Sequence, residues 1–267
     1  MLTKLIGYEM KAFGRIILPL YAATIGMAII MGVGIRVLDE DLYSNLLGAV
    51  IIMIFVSLII ATMVMTGVLC VQRFYRNLLG NEGYLMFSLP VGTHQLILAK
   101  VLSSLIWTLL GGVAGVCTVA VMGLMAIPLQ DTVRLFKEIS MHLRMLSLGK
   151  ELGAIAVWFV IFILFFVASL MQIYTAIAVG HQWSAHRILG SVLAFFGIGI
   201  IRNTLGGLVG QIGYRVGWAD FLMARFEGKL FLAWQFQLVL IVSTLILIAV
   251  YSGVTWYFLD RRLNLEP

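Results

Sequence analysis

Charge is what this sequence has least of. Asp, Glu, Lys and Arg make up 11% of its 267 residues, where a soluble domain carries about 25%. So few charges cannot cover a water-facing surface of this size, so a soluble globular fold is excluded and lipid is the solvent that remains. Acids are scarcer than bases, 12 against 18, for a net charge of +6. In a membrane protein that excess belongs to basic loops at the bilayer surface, and no nucleic-acid partner is expected. Cysteine is almost absent. Cys70 and Cys117 both lie inside apolar runs, which gives no disulfide framework.

The motifs of chemistry are missing as well. There is no G-x-x-x-x-G-K-[ST] loop to cradle a phosphate, and Gly149-Lys150-Glu151 and Gly228-Lys229-Leu230 lack its other residues. No H-E-x-x-H, paired-cysteine or G-x-S-x-G pattern occurs. The chain is therefore expected to be no enzyme and to hold no cofactor or metal. His181 and His186 flank a short polar stretch and read as residues of a loop surface. His94 and His142 have no ligand-type neighbour at metal spacing.

What is present is long apolar sequence. A helix needs about 20 apolar residues to cross the hydrocarbon core. Charge-free stretches at 16–35, 42–72, 101–130, 152–180 and 230–259 predict spans near 16–35, 46–71, 97–127, 152–178 and 232–258. A sixth, near 185–202, is less regular. Arg202 interrupts it and Gly206, Gly207, Gly210 and Gly213 follow, so residues 203–214 read as a broken or re-entrant segment. Arg202 is then the outer end of the span, reaching the headgroups. The other reading is a charge held at depth for function. Pro19 falls in the opening turns of the first span, where it is tolerated. Gln172 and Gln211 are polar groups able to bond across helices, either as structure or along a pathway.

Six spans put both termini on one side. Lys and Arg divide evenly between the two sides, so the first span decides: Lys4, Lys11 and Arg15 precede it, and Arg36 follows it beside Asp39, Glu40 and Asp41. Both termini are expected in the cytoplasm, with the basic N-terminal segment retained rather than cleaved. Between spans three and four, Leu135, Phe136, Ile139, Leu143 and Leu146 recur at helical spacing. They predict an external helix lying in the membrane interface or packed on the protein's own loops. The predicted fold is thus an all-α integral membrane protein with about six spans, one transmembrane domain over 1–267, and no soluble domain. The five clear spans contain no Asp or Glu, which disfavours a proton-coupled carrier, since a proton needs a group to bind.

The loop between spans two and three, Arg73 to Lys100, is the most informative polar segment. Asn81 is placed to cap a short helix, and Glu82 suits the positive end of its dipole. Tyr84, Leu85, Phe87 and Leu89 are more apolar than an exposed loop requires, and Pro90 ends the helix. Thr93 stands ready to cap the third span. A short apolar helix on the cytoplasmic face fits a docking element, or else a helix lying on the headgroups.

With the six-span layout, Asn81-Glu82-Gly83-Tyr84, Ser88-Leu89-Pro90-Val91 and the opening Lys4-Leu-Ile-Gly-Tyr-Glu-Met-Lys11 resemble permease subunits of the type-2 exporter class of ABC transporters. The resemblance implies a short cytoplasmic coupling helix that docks an ATP-binding cassette ATPase through Asn81, Glu82, Gly83, Tyr84, Phe87, Leu89 and Pro90. It implies ATP and Mg on that partner chain and none here. It implies a second permease subunit, identical or different, and a multi-pass place in the cell membrane among lipid. It also implies an amphipathic N-terminal helix, and external re-entrant helices at the glycine-rich stretch. The alternatives are an ion-coupled secondary transporter and a non-transporting membrane component of immunity or sensing.

Overall fold

The computed structural model describes residues 2–37, 46–80, 83, 86, 88, 90–145, 150–183, 186–217 and 234–261. Among them every regular element is helical. The elements are α1 (Leu2–Val37), α2 (Leu46–Phe74) with a π-helical turn at Tyr75–Leu79, α3 (Thr93–Ala126), α4 (Leu129–Met145), α5 (Lys150–Gly180), α6 (Arg187–Arg215) and α7 (Trp234–Arg261). All except α4 are long and apolar enough to cross a membrane. Their outward faces carry large apolar side chains such as Met63 and Val116, which are more than two-thirds exposed. Water would penalise such a surface and lipid accepts it. Six membrane-length apolar helices among the described residues are those of a multi-pass membrane protein.

The described residues form two compact units, one of 1–72 with 98–146 and one of 73–97 with 147–267. In the first, the order of contacts gives the direction of each helix. Phe13 stacks on Trp107 and the Tyr21 hydroxyl donates to the Trp107 carbonyl at 3.1 Å. Further along, Gly32 meets Met122 and Met125. Contacts that advance together mean that α1 and α3 run parallel. Ala28 and Met31 of α1 instead pack with Phe55 of α2, while Tyr21 is in reach of Thr66 and Cys70 further on in α2, so α2 runs back. Small residues set the approach. A Cβ at Gly32 would lie 2.5 Å from Met125 Cβ and 2.6 Å from the Met122 carbonyl, so only glycine lets these helices meet there.

In the second unit α5 lies between α6 and α7. The hairpin of α5 and α6 closes over Gly180 and Gly190, whose backbones touch so closely that neither has room for a Cβ. Pairing of Trp158 with Phe236 and of Thr175 with Thr255 shows α7 running parallel to α5. Both units therefore have the alternating order of a chain that crosses and recrosses a bilayer.

Three sequence expectations need correction. The basic N-terminal segment is no separate amphipathic helix. It is continuous with the first span in the 36-residue α1, and Pro19 lies deep within that helix rather than in its opening turns. The glycine-rich stretch is neither broken nor re-entrant. α6 runs unbroken from Arg187 to Arg215, about 44 Å at 1.5 Å per residue. Glycine permits a break without requiring one, and the only described glycine with positive φ is Gly217, beyond the helix end. The charge-free windows also missed Glu9, an acid inside the first membrane-length helix.

Helix α4 matches the amphipathic segment predicted between spans three and four. Its Phe136 and Ile139 are exposed, as is the weak ion pair of Arg134 with Asp131 at 3.8 Å.

Candidate functional site

Of the residues that resemble a docking element, Asn81, Glu82, Tyr84, Phe87 and Leu89 lie outside the described residues. Gly83 is buried and its N–H donates to the Gly80 carbonyl at 2.8 Å. Pro90 is exposed. What the structure describes well is how the two ends of this loop are held.

At the entry, Phe74 stacks on Tyr174 of α5 with ring centroids 3.9 Å apart. Tyr75 and His181 form a T-shaped pair with ring centroids 6.2 Å apart. At the exit, His94 stacks on Trp256 of α7 at 5.0 Å. The Thr93 hydroxyl donates to Asp260 Oδ1 at 3.1 Å. Thr93 is thus no cap for α3. It is the first helical residue, and the Gly92 carbonyl accepts the N–H groups of Gln95 and Leu96. The loop between spans two and three is tied at one end to the close of α5 and at the other to the close of α7.

His181 is not the surface residue its polar neighbours suggested. It is 7% exposed, and among the described residues neither ring nitrogen has a hydrogen-bond partner. Burial, and then the positive charge of Arg187, hold its pKa below the usual 6.5. The ring is therefore neutral near pH 7. His186 stays exposed.

A second polar group lies within the membrane-spanning helices. Arg202 Nη1 donates to Gln172 Oε1 at 2.8 Å. Arg202 stands fifteen residues after the start of α6 and thirteen before its end. It therefore sits at mid-helix, and the expectation that it marks the outer end of span five is wrong. Gln172 is buried at 5% exposure. Gln211 is not part of this group. It is nine residues beyond Arg202, on the opposite side of the helix, and exposed. One turn from Gln172, the Thr175 hydroxyl is 2.7 Å from the Met171 carbonyl, 3.2 Å from the Tyr251 carbonyl and 2.9 Å from the Thr255 hydroxyl. Carbonyls only accept, so Thr175 donates to them and Thr255 donates to Thr175. Tyr251 itself is buried, with its hydroxyl unpartnered among the described residues.

The ion pair of Glu9 with Lys100 has no counterpart among the sequence expectations. It joins α1 to the start of α3, and both side chains are almost fully buried. These residues are 91 positions apart, and each on its own reads as a boundary charge. Among the described residues no cluster of three or more metal-ligand side chains occurs. No protein-family model, curated protein or solved structure matches this chain.

Proposed function

We propose that the protein is the membrane subunit of an ATP-driven exporter, with the ATPase on a separate chain that docks on the loop between spans two and three. One observation carries the reading: both ends of that loop are clamped to other spans, through Phe74 on Tyr174 and His94 on Trp256. A partner that pushes on residues 81–89 therefore acts on the ends of α5 and α7 as well as on α2 and α3, which the loop joins covalently. The apolar content of Tyr84, Phe87 and Leu89 suits a protein groove. The absence of a phosphate-binding loop in this sequence fits a nucleotide site on the partner. Two permease subunits would work together, with both termini and the docking loop in the cytoplasm and α4 in the outer interface.

The ion-coupled carrier is the weaker reading. Glu9 is the one acid buried within a membrane-length helix among the described residues, and Lys100 matches its charge. The test is mild purification, identification of bound chains and an ATPase assay. A co-purifying ATPase is expected, with Glu82→Ala leaving membrane insertion intact and weakening ATPase stimulation. Transport that survives ATP depletion and stops when the ion gradient collapses would overturn the proposal in favour of the carrier. Partner binding without movement of any solute in vesicles would overturn it in favour of an immunity or sensing component.

A further inference from the structure

Arg202 has a problem that Gln172 does not solve. A guanidinium near the middle of a membrane-length helix is costly unless its charge is balanced. Gln172 supplies an oxygen to one nitrogen but no negative charge. Among the described residues no carboxylate pairs with Arg202, and the side chain remains exposed.

The space around it is graded. Helices α5 and α6 touch at Gly190, and a Cβ at Gly199 would lie 3.8 Å from Gln172 Nε2. At Gly206 and Gly210 the same construction meets nothing within 4 Å. Gly206 and Gly210 follow Arg202 at helical spacing, so the open face is continuous with the guanidinium. The helices part where the charge is. A second unsatisfied group lies nearby. Tyr251 of α7 packs beside this group, its carbonyl 3.2 Å from the Thr175 hydroxyl one turn from Gln172, and its buried hydroxyl is a donor without an acceptor among the described residues.

We propose that Arg202 heads a binding subsite for an anionic amphiphile, a molecule with one phosphate or carboxylate group and an apolar body, admitted from the bilayer where α6 parts from α5. The anion takes the guanidinium N–H groups that Gln172 leaves free, and the Tyr251 hydroxyl donates to the same headgroup. Gln172 is a positioning residue that fixes the plane of the fork. The apolar body lies along the open glycine face beside the exposed Leu205. The site stands on these contacts alone and is independent of the ATPase reading.

The experiment is native mass spectrometry of the full chain in neutral detergent, titrated with dioctanoyl phosphatidylglycerol, dioctanoyl phosphatidylcholine and decanoate. Saturable binding of the two anions over phosphatidylcholine is expected. Arg202→Gln should weaken it about tenfold, the loss of one charged hydrogen bond. Arg202→Lys should keep most of it, and Arg215→Gln, at the helix end, should change nothing. Anionic phospholipid that survives purification of the wild type and is lost with Arg202→Gln identifies a resident lipid. Binding seen only on addition identifies an exchangeable, cargo-like ligand. Both outcomes support the subsite. Equal binding of phosphatidylglycerol by wild type and Arg202→Gln, or equal binding of phosphatidylcholine, would overturn it. If Arg202→Gln does not fold, Tyr251→Phe decides: weaker binding supports the two-donor site, and wild-type binding sinks it.

Discussion

The rings of Phe74 and Tyr174 lie within 6° of parallel with centroids 3.9 Å apart, and both side chains are fully buried. Removing a buried aromatic costs about 3–5 kcal/mol, of which the ring pair itself accounts for roughly 0.5–1.5 kcal/mol. Phe74→Ala should therefore lower the thermal unfolding temperature in detergent sharply, and Phe74→Leu much less. A double-mutant cycle with Tyr174→Leu should return a coupling energy within the stacking range. Zero coupling would mean that the two rings are only neighbours.

Trp256→Ala removes the ring on which His94 stacks, at the far anchor of the loop. If the exporter proposal holds, the partner ATPase should still co-purify, because residues 81–89 are untouched. Its stimulation should fall severalfold, because the loop's hold on α7 is then left to Thr93 and Asp260 alone. Loss of the ATPase itself would move Trp256 from transmission to docking.

Glu9 and Lys100 should respond as a pair. Breaking a buried ion pair by removing one partner costs about 3–5 kcal/mol, since it strands the other charge. Glu9→Gln and Lys100→Met should each lower the unfolding temperature more than the combined variant does. Additive losses would show that the two charges do not depend on each other.

His181 should make stability depend on pH. Its folded pKa lies below 6.5, so the unfolded chain takes up its proton first as pH falls. Its contribution is complete above about pH 6.5 and is lost as pH drops toward the folded value. Wild type should lose stability across that window relative to His181→Phe, read as unfolding temperature against pH. Identical slopes would place the ring in contact with water.

Glycine substitutions should divide by position. Gly180→Ala drives a methyl group into the Gly190–Ser191 backbone and should prevent folding. Gly206→Ala meets open space in mid-helix and should stabilise by about 0.5–1 kcal/mol. Yield and unfolding temperature of the two variants check this directly.

The six spans were legible because lipid imposes composition directly: a charge-free run of sufficient length has few other fates. α2 begins at the residue predicted, and α3, α5 and α7 begin within four residues of it. Arg202 misled because a charge reads as an edge, whereas the helix ladder is a backbone matter and continues past it. Its partner, Gln172, lies thirty residues away, and the sequence does not say which of the scattered glutamines an arginine will meet. His181 misled in the same way, since Gln182 and Ser184 signal a turn but not what covers it. The clamp of His94 on Trp256 spans more than half of the chain and leaves no local trace.

The mid-helix position of Arg202 also bears on how the protein is made. An arginine at the centre of a span costs about 2.5–3.5 kcal/mol in translocon insertion, and α6 is the least apolar of the six spans. Its partner glutamine is on α5, which leaves the ribosome first and is separated from α6 by only six residues, 181–186. The two helices should therefore enter the bilayer as one hairpin, with α5 as the helper. Glycosylation mapping in microsomes should find α6 poorly inserted alone, well inserted behind α5, and impaired again behind α5 carrying Gln172→Leu. Equal insertion in all three would show that α6 partitions into lipid unaided.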